Sequence, residues 1–180
     1  MLTREIIAEV ERVENELHAR IYDTFALRHE SAEKWDAWDE ATSDWHCRTC
    51  PTDILWEDEF LADLRSSQRP AIDDAILYLE ADPWYFRSGY LKERLIRGLK
   101  SANLTEQDRS RLRIVVWNIA TGKNRREFRN YCSLATAVAD ADFLQRLDQL
   151  TPEYDSAARG KFRYLQNYLR RNMNQKIRLP

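Results

Sequence analysis

Residues 78–93 read YLEADPWYFRSGYLKE, and this stretch predicts how two helices of the chain are joined. A proline disfavours helical backbone at the residue before it, so Asp82-Pro83 ends the first helix. Ser88 is a suitable N-cap for the second helix. We expect the rings of residues 84–86 to close the end of the core at this corner of an antiparallel hairpin. Trp84 is the ring that could instead contact a partner.

Apolar residues spaced by three or four positions support a helix on each side of the corner. The first helix opens at Pro70, a residue favoured in a first helical turn. The two apolar stripes are Ile72, Ala75, Ile76 and Leu79 before the corner, and Leu91, Leu95, Ile96 and Leu99 after it.

The same pattern returns 40 residues further along the chain. The matched apolar pairs are Ile72 with Leu112, Ala75 with Val115, Ile76 with Val116, Leu79 with Ile119, Leu91 with Tyr131, and Leu95 with Ala135. Paired helices with this period resemble HEAT-like repeats over about residues 70–140. The resemblance implies a short α-solenoid, and an irregular helical bundle is the alternative.

The whole chain predicts a single all-α domain over residues 1–180 with about eight antiparallel, hairpin-forming helices. Thr3 can cap a long first helix, Thr52 or Asp53 another, and Thr105 opens a capping box. Thr151-Pro152-Glu153 is expected to start the last helix. The first helix carries an apolar stripe of Ile6, Val10, Val13, Leu17, Ile21 and Phe25. Its solvent side is predicted to hold Glu9, Glu11, Glu14 and Glu16.

Composition favours a globular helical protein. Among 180 residues, 43% are hydrophobic, 32% are charged and only four are glycine, which argues against a phosphate-cradling loop. No apolar run approaches the about 20 residues of a membrane span, and the first residues, MLTREIIAEVER, are charged rather than signal-like. We therefore expect a cytoplasmic protein with no membrane partner.

The net charge of −2 hides two oppositely charged halves. Residues 1–90 contain 9 Lys and Arg against 21 Asp and Glu, and residues 91–180 contain 19 against 9. The acidic, Trp-rich part is residues 1–66, and the helical-hairpin part over 70–180 becomes basic toward its end. Such a split can serve attraction between the halves, or it can present each face to an oppositely charged partner.

Four of the six tryptophans fall between positions 35 and 56, among carboxylates. Exposed tryptophans are typical anchors of protein interfaces, and acidic residues steer a basic partner toward them. The alternative is that Trp35, Trp38 and Trp45 form a core stripe against the first helix. The predicted partner-binding residues are Trp35, Asp36, Trp38, Asp39, Glu40, Asp44 and Trp84. We interpret the chain as a non-catalytic protein-binding module, such as an inhibitor or immunity-type protein that neutralises a basic effector.

The basic half offers a second hypothesis, a nucleic-acid-binding regulator. Clustered arginines with interleaved aromatics suit phosphate contacts and base stacking. The acidic half, which would repel a long nucleic acid, argues against it. The candidate residues are Arg109, Arg113, Lys123, Arg125, Arg126, Arg129, Arg159, Lys161, Arg163, Tyr164, Tyr168, Arg170 and Arg171.

A third hypothesis places a zinc- or thiol-dependent enzyme around Cys47 and Cys50, in the stretch HCRTC at residues 46–50. A structural zinc site needs four ligands, and no second Cys-x-x-Cys or His-x-x-x-His pair follows. Thioredoxin-like redox chemistry needs a βαβ context that a helical chain lacks. No recognisable catalytic or cofactor motif is present. The sequence therefore favours a protein that is not an enzyme and binds no metal or cofactor.

Overall fold

The computed structural model describes residues 1–149 and 156–177, and within them the chain is entirely helical, with no β-strand. This confirms the all-α prediction of about eight helices, because the described residues form nine α-helices and one short 3₁₀ helix, Asp53–Trp56. None of the helices in these ranges is long and apolar enough to cross a membrane. The α-helices are α1 (Arg4–Phe25), α2 (Ala32–Cys47), α3 (Asp58–Arg65), α4 (Arg69–Ala81), α5 (Ser88–Ser101), α6 (Glu106–Thr121), α7 (Phe128–Val138), α8 (Ala141–Asp148) and α9 (Ser156–Ile177).

The helices pack as stacked antiparallel hairpins. The hairpin α4–α5 lies on the hairpin α6–α7, with α4 against α6 and α5 against α7. The hairpin α1–α2 leans on α4, and α9 covers α6 and α7 at the other end. Helices α4 and α6 end 40 residues apart, at Ala81 and Thr121, and α5 and α7 start 40 residues apart, at Ser88 and Phe128. This spacing agrees with the period in the sequence, and the resemblance to HEAT repeats stays a prediction.

Helix starts follow the capping signals in part. Thr3 accepts a hydrogen bond from the backbone of Ile6, and Thr105 forms a complete capping box with Asp108, as predicted. Two other predicted starts are wrong. Arg87, in a left-handed conformation, is the N-cap of α5, while the Ser88 hydroxyl donates to the carbonyl of Tyr85.

The second error concerns Thr52 and Asp53, because Thr52 precedes and Asp53 begins the 3₁₀ helix rather than an α-helix. The next α-helix, α3, starts only at Asp58 and has Glu57 as its N-cap. The predicted start of the last helix at Thr151-Pro152-Glu153 lies outside the described residues.

The buried face of α1 differs from the predicted stripe. Ile7, Val10 and Glu14 are its buried residues, whereas Phe25 is 47% exposed. The beginning of α1 is tied to α4, because the backbone N–H of Leu2 donates to Asp74. The end of α1 packs on α2 instead, so its last aromatic is only partly covered.

A group of four charged residues, of which Lys92 and Glu127 are buried and the other two half-buried, joins the two central hairpins, and we call it the junction network: Asp82, Lys92, Arg125 and Glu127. The side chain of Lys92 is fully buried and its ammonium bonds to Asp82. Glu127 Oε1 lies 3.6 Å from Lys92 Nζ, and Arg125 donates to Asp82 at 2.7 Å. The two cations and two anions give the junction network a formal charge of zero.

We expect Lys92→Ala to destabilise the fold by about 3 kcal/mol or more, because it leaves two carboxylates at a buried site without their ammonium. The measurement is urea-induced unfolding followed by circular dichroism. Arg12→Ala is the control, since its ion pairs with Glu9 and Glu16 are exposed and such pairs contribute about 0.2–1 kcal/mol. Equal losses for the two variants would contradict a stabilising role for the junction network.

A second buried carboxylate, Asp108, fastens α4 to α6. Arg69 donates to both carboxylate oxygens at 2.7 Å. The hydrogen bonds from Arg69, followed by those from Thr105, hold the pKa of Asp108 well below its usual range. A carboxylate with a depressed folded-state pKa stabilises the fold above its unfolded-state pKa of about 4. This stabilisation is lost as the pH falls toward the folded-state value.

We therefore expect Asp108→Asn to lower the unfolding free energy at pH 7 by about 1–2 kcal/mol, through the lost charge-assisted bonds. It should also reduce the difference in stability between pH 7 and pH 3. Chemical denaturation at both pH values measures this. Asp23→Asn, which alters an exposed carboxylate, should change neither quantity, and a matching effect in that control would rule out Asp108 as the source.

Candidate functional site

The turn between α1 and α2 carries an exposed apolar patch. Phe25, Leu27 and Trp35 are 47%, 42% and 44% exposed. The ring of Trp38 supports the patch from below, with its centroid 5.1 Å from that of Trp35 and 6.4 Å from that of Phe25. These rings pack on one another without being removed from solvent. Large apolar groups clustered at a surface are typical of a binding site.

Unpaired carboxylates surround this patch. Asp36, Asp39 and Glu40 on α2 and Asp23 on α1 are exposed, and within the described part of the chain they form no hydrogen bond or ion pair through their side chains. Residues 20–44 contain seven Asp and Glu against three Lys and Arg. We call the exposed rings of Phe25, Leu27 and Trp35 together with these four carboxylates the acidic tip.

The structure brings together most of the predicted partner-binding residues, with two exceptions. Asp44 forms an ion pair with Arg20 at 2.8 Å, so its charge is matched locally. Trp84 lies away from the acidic tip, beside the middle of α1. Its backbone N–H donates to Glu11 and its carbonyl accepts from Asn15, while its ring is 54% exposed.

The three tryptophans of α2 divide between the two predicted roles, an exposed interface anchor and a core stripe. Trp35 is exposed, whereas Trp38 and Trp45 are half-buried. The indole N–H of Trp45 donates to Glu14 of α1 at 3.3 Å. Trp38 Nε1 is buried and has no hydrogen-bond partner in the part of the chain that the structure describes. Only one of the three rings is thus available as a large exposed anchor.

The three aromatic residues of the corner also differ in their exposure to solvent. Tyr85 is half-buried, and its hydroxyl bonds to those of Tyr78 at 2.7 Å and Thr52 at 3.2 Å. Tyr85 is thus the ring that closes the corner, whereas Trp84 and Phe86 are 54% and 47% exposed. The expectation that all three rings pack at the end of the core is wrong for these two.

The motif HCRTC and the corner aromatics meet in a cleft of about 600 Å³. Its walls include Trp45, Trp56 and Phe86, and its floor includes the hydroxyls of Thr52 and Tyr85. Cys50 continues the hydroxyl chain, with its sulfur 3.0 Å from the oxygen of Thr52. Burial raises the pKa of both Tyr78 and Tyr85, so these hydroxyls stay protonated and act as hydrogen-bonding groups rather than as bases.

Glu14 is the residue of this cleft that sequence reasoning missed. It was predicted to face solvent, yet it is only 2% exposed. The Nε of Arg48 and the indole of Trp45 both donate to its carboxylate. A signal existed in the sequence, because Glu14 follows Val10 by four positions and precedes Leu17 by three, within the apolar stripe.

The two cysteines of the motif lie in different environments. Cys47 is exposed and Cys50 is buried. Among residues 1–149 and 156–177, no three His, Cys, Asp or Glu side chains are grouped so that they could hold a metal ion. The zinc- or thiol-dependent reaction stays a hypothesis.

Several cations of the basic half are used inside the protein. Arg109 and Arg113 donate to the carbonyls of Ala137 and Val138, and Arg125 bonds to Asp82. Lys161 is buried, with its ammonium 3.2 Å from the carbonyl of Ile119. These four side chains are bonded to backbone carbonyls or to a carboxylate of the same chain. The nucleic-acid hypothesis therefore depends on the other candidate cations and stays a prediction.

The same pairing uses acids of α4. Glu80 accepts from Arg111 at 2.8 Å, Asp73 lies 3.9 Å from the same arginine, and Asp82, the C-cap of α4, pairs with Arg125. The charge split along the chain is therefore partly neutralised where α4 meets α6 and the corner of α7. At the acidic tip, the carboxylates of Asp23, Asp36, Asp39 and Glu40 have no such partners among the described residues.

Comparison of the chain with protein-family models, with curated proteins and with solved structures finds no match.

Thiol reactivity tests the described environments of the cysteines. Burial raises the pKa of the Cys132 thiol to about 12, so its thiolate is scarce at neutral pH. We expect iodoacetamide at pH 7.5 under reducing conditions to alkylate Cys47 first, and all three thiols only after unfolding. Peptide mass spectrometry measures the order. Rapid alkylation of Cys132 in the folded protein would contradict its placement in the core.

Proposed function

We propose that this chain is a non-catalytic protein-binding module that uses the acidic tip to hold a basic protein. The observation that carries the proposal is the combination of an exposed Trp35 and Phe25 with four unpaired carboxylates around them. Elsewhere, carboxylates such as Asp82 and Asp108 are matched by arginines of the same chain. An unmatched acidic surface is attractive to an external cation.

The two components of the acidic tip would contribute differently to binding. A large ring such as Trp35 stabilises a complex when a partner removes it from water, and a few such anchors provide most of the affinity of an interface. The carboxylates Asp36, Asp39 and Glu40 lie at the rim, where charges mainly accelerate association and select the sign of the partner. A basic protein with an apolar recess among Lys and Arg side chains satisfies both requirements.

An inhibitor or immunity-type role is the form of this function that the charge distribution supports best. A basic effector such as a nuclease needs its cationic surface to bind phosphates. A rigid module that covers this surface with carboxylates would block the effector without any chemistry of its own. The rigidity comes from the stacked hairpins, which hold α1 and α2 in place through α4.

The experiment has two steps. A photo-crosslinking amino acid replaces Trp35 in cells of the source organism, and in a second strain it replaces Ile54, which is 56% exposed but outside the acidic tip. We expect one basic protein to be recovered from position 35 and not from position 54. Its association with the purified chain is then measured by biolayer interferometry over a range of salt concentrations.

We expect Asp36→Lys with Asp39→Lys to slow association about tenfold or more at low salt and to weaken its salt dependence, with an unchanged circular dichroism spectrum. The matched control is Glu59→Lys with Asp63→Lys, which makes the same charge change at exposed, unpaired positions of α3. An equal slowing in the control would show a general charge effect and would contradict the proposal. Recovery of an acidic protein by crosslinking at position 35 would also contradict the proposal.

A further inference from the structure

The basic half retains one coherent surface after its internal pairs are set aside. It lies on the outer side of α5 and α7, which pack side by side. We call it the basic face and define it by Tyr90, Arg97, Arg126 and Arg129. Tyr90 and Arg97 lie on α5 and Arg129 on α7, while Arg126 precedes α7 and still pairs with Glu93 of α5 at 2.7 Å. The side-by-side packing of α5 and α7 places these residues on one side of the molecule.

Two of the cations on the basic face have no partner in the described chain. Arg97 and Arg129 are exposed, and their side chains form no hydrogen bond or ion pair with residues 1–149 or 156–177. Three more cations lie near them: Lys100 donates to Ser133, Arg94 pairs with Asp58 at 3.3 Å, and Arg126 pairs with Glu93 at 2.7 Å. Five cations against two carboxylates give the surface a net positive charge.

An exposed aromatic ring sits within this positive surface. Tyr90 is 54% exposed, and the guanidinium of Arg126 lies 3.6 Å from its ring centroid. On the neighbouring α9, Tyr164 is 46% exposed, with its ring 6.0 Å from that of Phe128 at the start of α7. Exposed rings beside arginines provide stacking positions for bases next to contacts for phosphates.

We infer that the basic face binds single-stranded nucleic acid, with Arg97 and Arg129 on phosphates and Tyr90 stacked on a base. A single strand fits better than a duplex, because a ring can stack only on a base that is free of its neighbours. An acidic protein fits less well, since the exposed group at the centre is an arginine-backed ring rather than an apolar recess.

The acidic tip does not prevent this binding. It lies on α1 and α2, and α1 packs on α4, whereas the basic face lies on α5 and α7. The expected repulsion between an acidic half and a nucleic acid was inferred from the order of charges along the chain. It does not hold for the basic face, because that face lies on other helices than the acidic tip. The inference goes beyond the proposed function and does not depend on it.

The test uses a fluorescein-labelled 20-nucleotide oligo(dT) and fluorescence anisotropy between about 50 and 200 mM KCl. Each single-strand phosphate contact contributes about −0.7 to the slope of log affinity against log salt. We expect Arg97→Glu with Arg129→Glu to lower affinity at least tenfold and to reduce the slope by about 1.4. Tyr90→Ala should lower affinity about tenfold without changing the slope, because stacking releases no counterions.

Matched controls separate the basic face from the rest of the surface. Arg65→Glu removes an exposed, unpaired arginine of α3, and Tyr22→Ala removes a 68% exposed ring of α1. Both controls should bind oligo(dT) like the parent chain.

Three results would overturn the inference. They are no salt-dependent binding by the parent chain, equal losses in the controls, and a 20-base-pair duplex or polyglutamate that competes as well as the single strand. Circular dichroism of each variant checks that the fold is intact. We expect an intact fold because the substituted side chains are exposed.

Discussion

The buried ammonium of Lys92 determines how the central hairpins meet. A fully buried cation is tolerated only with carboxylates beside it, and the two that approach it come from different hairpins: Asp82 at the end of α4 and Glu127 at the start of α7. Asp82 adopts a left-handed conformation with φ of 46°, and Gly89 leaves the space that Glu127 needs, since a Cβ there would lie 3.1 Å from Glu127 Oε2. The geometry of the corner thus depends on the pairing of Lys92 with these two carboxylates.

Among the three aromatic rings of the corner beside this network, Tyr85 is half-buried, with its hydroxyl bonded to those of Tyr78 and Thr52, and Trp84 and Phe86 are exposed. Arg125 is held by Asp82 and lies 4.5 Å from the ring of Trp84. Arg126 follows it on the same corner and lies over Tyr90. The junction network thus holds Arg125 against the ring of Trp84, whereas Arg126 is held over Tyr90 by its ion pair with Glu93.

Much of the fold could be predicted because helix ends are local. The capping box at Thr105 and the stop at Asp82-Pro83 depend on neighbouring residues alone, and both are observed. Burial within a helix depends on which other helices cover it. Periodicity could not show that Phe25 extends beyond α4, that Trp35 and not Trp38 is exposed, or that Glu14 is paired with Arg48. The positions of the carboxylates at the acidic tip could be predicted, but their lack of partners could not.

The separation of the acidic tip from the basic face has a consequence for how the molecule would respond to changes in its core. Helix α2 packs mainly on α1, and its Trp45 also contacts Phe86 of the corner, with the ring centroids 5.5 Å apart. The basic face rests directly on α5 and α7, whose first turns are joined by Lys92 and Glu127. Loosening that junction would displace Arg126 and Tyr90 before it moved Trp35. The two surfaces therefore share a scaffold, and each lies near a buried charge: Glu14 with Arg48 between α1 and the end of α2, and Lys92 with Glu127 between α5 and α7.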